Sequence, residues 1–377
     1  MLKILFAPLQ GYTTGIYRRA HAEIFGGVDA YYAPFLRIEN GRPREKDLRD
    51  LEITHAECSG NADSKCAENA KGNGASYKVV PQIIANSVSE FKALAETLLQ
   101  KGFTEIDFNM GCPFPMQVNR HRGAGILSDT QAVQEIMDEI KRLSGSTTIS
   151  NGTAPANVNG NEPINANETA SSNAKGNASV KFSVKMRLGQ DFPDEAFTLL
   201  PILNNTPLAH ITLHPRLGKQ QYKGAIDFNS FERFYNESKH PLVYNGEITS
   251  VSQICEMERR YPELAGVMIG RGLLARPSLA AEYKAQCENA NMTENADAQD
   301  VRKKWALSEC ESTNKLFQMH QAIFDNACQT YQGDSQILSH IQSFWEYLES
   351  SIPKKIFKRI KKAGKLSEYN EAIAQLK

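Results

Sequence analysis

A chain of 377 residues with 43 basic and 43 acidic side chains has no net charge, which argues against a general polyanion binder and leaves only a local patch for such a role. Apolar residues make up 41%, as in ordinary soluble domains, and no apolar run nears the roughly 20 residues that span a bilayer. The 7 cysteines are scattered, odd in number and free of CxxC or Cys/His ligand spacing, so no disulfide framework and no metal site is expected. Met1 to Gln10 holds one Lys and a short apolar stretch that meets Pro8, too short for a signal peptide, so the expected location is cytoplasmic.

Taken in chain order, the first strand-length apolar runs are Ile4 to Ala7 and Ala30 to Ala33. Residues 58–76 then form an Asn- and Ala-rich segment without apolar periodicity, read as an insertion. Val79 to Ile84 is the third strand. Val88 to Lys101 follows as a helix, with Asn86 and Ser87 as caps and Phe91, Leu94, Ala95 and Leu98 on one face. The strand Glu105 to Phe108 and the helix Asp129 to Leu143 repeat the unit, and residues 146–179 form a second Asn-rich insertion. Strands at Phe182 to Met186, Ala209 to Leu213, Leu242 to Tyr244 and Gly266 to Ile269 complete the count. Eight strands interleaved with helices predict an α/β fold, a (β/α)8 TIM barrel over residues 1–285, with a doubly wound sheet as the competitor. Residues 286–299 read as a linker, and 300–377 as a small helical domain.

Active sites of such barrels form where the strands end. The residues there are Pro8-Leu9-Gln10, Pro34 to Arg37, Gln82, Asn109 to Pro113 with Cys112, Lys185 to Arg187, His214 to Arg216, Asn245-Gly246-Glu247 and Gly270-Arg271-Gly272. A polar group after every strand exceeds what packing requires and signals one composite pocket. The last two loops carry glycines and a guanidinium where barrels commonly bind phosphate. In the tail, Lys354, Lys355, Lys358, Arg359, Lys361, Lys362 and Lys365 occur with no acid among them, while Ile352, Ile356 and Ile360 recur every four residues. One face of that helix should pack and the other should be basic.

These blocks resemble a known family. Ile106-Asp107-Phe108-Asn109-Met110-Gly111-Cys112-Pro113, then Gln117, then Gly123-Ala124, closely resembles the signature of the tRNA-dihydrouridine synthases. Ala7-Pro8-Leu9-Gln10-Gly11, Val184 to Gly189, His214-x-Arg216 with Tyr222-x-Gly224, Asn245 to Ile248 and Ile269 to Gly272 are similar to further blocks of that family, in the same order. Thr14 departs from the family's usual Asp at that position, which is read as structural.

The resemblance implies FMN as cofactor, NADPH as reductant and a D-loop uridine of tRNA as substrate. Pro8 and Leu9 would border the flavin through their backbone, and Gln82, Lys185 and His214 would bond its ring or ribityl chain. Asn245, Gly246, Glu247, Gly270 and Arg271 would form the phosphate end. Asn109, Arg187, Arg216 and Arg37 would face the substrate. Cys112 would give the proton that completes reduction of the 5,6 double bond. The base would have to leave its stack to be reached, and Lys355, Arg359 and Lys362 would grip the RNA. Phe35-Leu36-Arg37 and Phe344 to Leu348 resemble the branch acting on uridine 16. A monomer is expected. Two alternatives stand at this point: an FMN barrel reductase of the dihydroorotate dehydrogenase type, and a tRNA-binding protein with a dormant pocket.

Overall fold

The computed structural model describes residues 1–58, 77–145, 180–292 and 309–376. The expected insertions, beyond Cys58, lie outside the described residues. The barrel strands are β1 (Lys3–Phe6), β2 (Ala30–Tyr32), β3 (Val79–Val80 and Gln82–Ile83), β4 (Glu105–Met110), β5 (Lys181–Gly189), β6 (Leu208–Leu217), β7 (Leu242–Tyr244) and β8 (Gly266–Ile269). Each pairs in parallel with the next, and β8 pairs with β1. Pro81 has no N–H to give to a ladder, so it divides β3. Both halves still close the ring: Val80 O accepts from Ala33 at 3.0 Å and Pro81 O from Asp107 at 2.9 Å. The eight-stranded barrel is therefore closed.

A helix follows each strand: α1 (Gly15–Ile24), α2 (Glu45–Cys58), α3 (Val88–Gln100), α4 (Thr130–Gly145), α5 (Asp194–Asn204), α6 (Phe228–Glu237), α7 (Val251–Arg260) and α8 (Leu279–Met292). Ser87, Ser250 and Asp227 cap α3, α7 and α6 by accepting a backbone N–H. Strand side chains alternate between two environments. Ile4, Phe6, Tyr31, Ile106, Phe108, Phe182, Val184, Ile211 and Leu213 belong to the large core shared with the helices. Leu5, Ala7, Ala30, Tyr32, Val80, Val243 and Met268 form a separate apolar cluster. Tyr32 of β2 meets His210 of β6, on the far side of the ring, at 3.0 Å, which puts this second set inside the barrel.

Four elements differ from the sequence reading. β5 and β6 run on to Gly189 and Leu217, so Arg187, His214 and Arg216 lie within strands and not in loops after them. Asn109 likewise ends inside β4. The extensions are polar at every second position, so apolar content alone undercounts them. Helix α8 continues through residue 292, taking the first half of the expected linker, and 293–299 lie outside the described residues.

Beyond it come α9 (Glu309–Thr330), α10 (Asp334–Ile341), a helical stretch Gln342–Ser351, α11 (Lys354–Lys362) and α12 (Leu366–Ala374). Their core holds Met319, Trp345, Ile360 and Tyr369, and Tyr369 Oη bonds both Trp345 Nε1 at 2.8 Å and His320 Nε2 at 2.7 Å. This helical unit docks beside β1. The Tyr12 hydroxyl donates to Glu346 at 2.9 Å, and the Tyr12 and Tyr347 rings meet edge to face at 5.1 Å.

α4 ends at Gly145 and β5 starts at Lys181, so the second expected insertion falls between a helix end and a strand start, away in sequence from the strand ends that carry the site. Replacing residues 147–178 with a short Gly-Ser linker should leave flavin content, melting temperature and turnover nearly unchanged. A large loss of turnover with flavin retained would show that the segment reaches the substrate.

Candidate active site

The strand alternation that fills one part of the barrel with apolar groups fills the rest with polar ones. β4 sends Asp107 and Asn109 inward, β5 sends Ser183, Lys185 and Arg187, and β6 sends Thr212, His214 and Arg216. Neighbouring strands bring Asp107 opposite Ser183, Asn109 opposite Lys185, Lys185 opposite Thr212 and Arg187 opposite His214. These layers approach the C-terminal mouth, where Cys112 follows β4.

Cys112 is buried against Phe35 and Ile84, and 9% of it is exposed. Its turn is fixed from below, since Asn109 Oδ1 accepts the N–H groups of both Gly111 and Cys112 at 2.9 Å. From the side, Cys112 O accepts from Ala124 at 3.0 Å. Gly123 lies so near that a Cβ there would come 2.7 Å from that of Cys112, and its φ of +62° suits glycine. Burial pushes the thiol above its ordinary pKa, against the pull of the Phe114 backbone and the cations Arg187, Lys185 and Arg37. Cys112 is accordingly a neutral thiol at physiological pH, the form that can give a proton.

Burial drives Lys185 down to about 8, helped by Arg187 and opposed by Asp107 and Cys112. Burial also raises Asp107 to about 6, against hydrogen bonds from Gln82 and Ser183 and the charge of Lys185. Burial thus draws the two groups towards neutral pH from opposite sides, while the charge of each favours the ionised form of the other. His214 is held well below the usual imidazole range by burial and then by Arg187, Lys185, Arg216 and Arg271, so it is neutral.

Arg187 donates to Gly111 O at 2.9 Å and Leu217 O at 3.0 Å, and lies 5.5 Å from the Tyr222 ring centroid. Arg216 grips Gly224 O and pairs with Glu247 at 3.0 Å. Arg271 pairs with the same carboxylate at 3.3 Å and sits 4.7 Å from the Tyr222 centroid. The Glu247 side chain is therefore engaged by two cations, and any part it takes in holding an anion falls to its backbone. Asn245 Nδ2 ties the loop after β7 to Met268 O at 2.7 Å. Arg37 lies 3.8 Å from Asp47. Pro8 and Leu9 follow β1, and the Leu9 side chain lies against Gly270. In the tail, Lys355, Lys358 and Lys362 are exposed, while Arg359 and Lys361 approach Glu371 and Glu346. Glu346 also receives the Tyr12 hydroxyl, so the basic helix is anchored beside the barrel mouth.

Asp107, Ser183, Thr212 and Tyr222 were given no role in the sequence reading. The period-2 polar pattern in Asp107-Phe108-Asn109, Ser183-Val184-Lys185-Met186-Arg187 and Thr212-Leu213-His214-Pro215-Arg216 carries the signal for the first three.

The pocket fits a flavin on its own chemistry. His214 Nε2, Thr212 Oγ1 and Arg216 Nη1 are buried without a hydrogen-bond partner, which suits a polar ring system. The loops after β7 and β8 approach so closely that a Cβ on Gly272 would lie 2.0 Å from Ile248 O. Residues 5–146 and 168–375 match the sequence model of the dihydrouridine synthase family. The chain belongs to that family. It is 26% identical over 291 residues to the tRNA-dihydrouridine(16) synthase of Pseudomonas putida, covering 75% of this chain and 74% of that one. For the enzyme of the same description in Pseudomonas syringae pv. tomato the identity is 27% over 289 residues, 75% of each chain. For that of Neisseria meningitidis serogroup B it is 23% over 305 residues, 80% and 76%.

This dihydrouridine synthase is a flavin-dependent oxidoreductase. The family match extends through the helical tail to residue 375, and the dihydroorotate dehydrogenase alternative gives way to it. Gly272→Ala must part the two loops at an overpacking cost of ~1–3 kcal/mol, enough to weaken flavin retention roughly tenfold. The flavin-to-protein ratio after gel filtration reads this directly, and an unchanged ratio would contradict it. No helix among the described residues is long and apolar enough to cross a membrane.

Proposed function

We propose that this dihydrouridine synthase reduces a D-loop uridine of tRNA, at position 16, using FMN and NADPH, in the cytoplasm where tRNA is found. The observation that carries the reading is a buried thiol on a turn held by Asn109, beside the cations Lys185 and Arg187 and the buried imidazole of His214. FMN would be held by Gln82, Lys185 and His214 at its ring and ribityl chain, and by Asn245, Gly246, Gly270 and Arg271 at its phosphate. When bound, the flavin supplies the reducing equivalent for the 5,6 double bond.

The protein's own groups do the rest. Lys185 and Arg187 offset negative charge that develops on the base during reduction. Cys112 gives its proton to C5, and burial keeps that proton in place until the base arrives. Phe35 and Ile84 keep water from the thiol. Arg37 and Asn109 border the same space, and Arg216 holds the Gly224 turn that supports Tyr222. The exposed lysines of α11 face the RNA backbone beside the mouth, acting as one monomer. The relatives named above, described as acting at position 16, and the Phe344 to Leu348 segment support the choice of uridine.

The direct test is biochemical. Acid release from the purified protein should yield FMN and not FAD, and NADPH with an unmodified tRNA transcript should give dihydrouridine at position 16. Release of FAD, or no dihydrouridine with reduced flavin present, would refute the reading.

A further inference from the structure

Below Cys112 lies a buried chain of side chains that leads away from the pocket. Gln82 is 1% exposed, Asp107 0% and Asn109 7%. Asn109 Nδ2 donates to Gln82 Oε1 at 2.6 Å, Gln82 Nε2 donates to Asp107 Oδ2 at 2.7 Å, and Ser183 Oγ donates to Asp107 Oδ1 at 2.5 Å. Above, Asn109 Oδ1 receives the two N–H groups of the Cys112 turn.

We propose that Asp107 is a positioning residue for Cys112, acting through Gln82 and Asn109 by fixing the polarity of this chain. The inference rests on the role of Cys112 proposed above. The argument is one of donors and acceptors. An amide side chain has two ends of opposite polarity and can turn over at small cost unless its partners forbid it. The top of the chain is made of backbone N–H groups, which only donate. The bottom is a carboxylate, which only accepts. Between such ends each amide has one satisfactory orientation: oxygen up, nitrogen down. If the acceptor at the bottom is lost, Gln82 no longer has a reason to keep its nitrogen downward. Turned over, it would present a donor to Asn109 Nδ2. Asn109 would then turn as well and face the Gly111 and Cys112 N–H groups with its own NH2. Both bonds from the thiol's turn to Asn109 would be lost, although neither Asn109 nor Cys112 had changed. Ser183 reinforces the lower end, because its hydroxyl donation occupies the other carboxylate oxygen.

The test compares Asp107→Asn and Asp107→Leu under single-turnover conditions, measuring flavin reduction by NADPH separately from dihydrouridine formation in a tRNA transcript. Asn can turn its oxygen to Gln82 and its nitrogen to Ser183 Oγ, so polarity survives while charge is lost. Leu supplies no acceptor. Asp107→Leu should slow dihydrouridine formation by ~10²-fold, the scale of a misplaced proton donor. Flavin reduction should fall far less than dihydrouridine formation, its share being what the turned Gln82 and the lost charge beside Lys185 cost the cofactor, and Asp107→Asn should recover most of the loss in dihydrouridine formation. In a Cys112→Ala background Asp107→Leu should add almost nothing, since groups acting through one another are not additive. Should the Leu variant not fold, Asp107→Ala, which also supplies no acceptor to Gln82, makes the same comparison, alone and with Cys112→Ala. If Asp107→Asn is as slow as Asp107→Leu, the charge beside Lys185 matters and the polarity chain does not. If the losses add in the Cys112→Ala background, Asp107 does not act through the thiol. If Cys112→Ala alone is not slow, the role of the thiol fails first, and the comparison of the two Asp107 variants shows it separately.

Discussion

Cys112→Ala is expected to bind flavin and accept electrons from NADPH as the wild type does, yet to form dihydrouridine slower by ~10²–10⁴-fold, the usual worth of a positioned general acid. The thiol sits on the pocket wall against Phe35 and Ile84, and its removal leaves the Gly111 and Cys112 N–H bonds to Asn109 in place. The groups proposed to surround the cofactor, Lys185, His214 and the two glycine loops, are untouched. The loss should therefore fall on product formation alone, and its size should not depend on NADPH concentration. Parallel stopped-flow traces of flavin reduction and of reoxidation by tRNA separate the two steps. Equal reoxidation rates in variant and wild type would remove Cys112 from the chemistry.

The second large effect concerns RNA affinity. Lys355, Lys358 and Lys362 are exposed on α11. Arg359, which the sequence marks equally, sits 3.6 Å from Glu371 and is already partly neutralised. Replacing the three lysines with Gln should weaken tRNA binding and reduce the slope of log affinity against log salt by ~2–3, one phosphate contact per charge. NADPH oxidation by oxygen without tRNA should not change, because none of the three lysines belongs to the proposed flavin site and α11 is tied to the barrel through Glu346 of the neighbouring Gln342–Ser351 stretch. Affinity and slope both at wild-type values would make the helix a solvated surface element.

Much of the barrel was legible because its apolar runs are bounded by turns and separated by amphipathic helices. Phe91, Leu94, Ala95 and Leu98 read as one buried face and are one. What stayed hidden follows from the interior of the barrel. A polar residue at every second position looks like a surface strand, yet Ser183 and Thr212 are buried and Asp107 is completely so. Pattern gives the period, but not which side is the inside when both sides are covered. Glu247 read as part of an anion site because of the motif around it. Its ion pairs with Arg216 and Arg271 depend on two loops meeting, which no local sequence encodes. The linker was placed too early because α8 ends in Asn-rich sequence that helix propensity disfavours, yet the helix continues to Met292.

The most direct measurement is a nucleotide-resolution map of dihydrouridine in tRNA from cells lacking this protein, with and without the wild-type chain restored. Dihydrouridine should vanish from position 16 of the D-loop in the deleted strain and return with the wild-type chain, but not with Cys112→Ala. An unchanged map in the deleted strain would contradict the assignment of this chain as the enzyme that reduces that uridine.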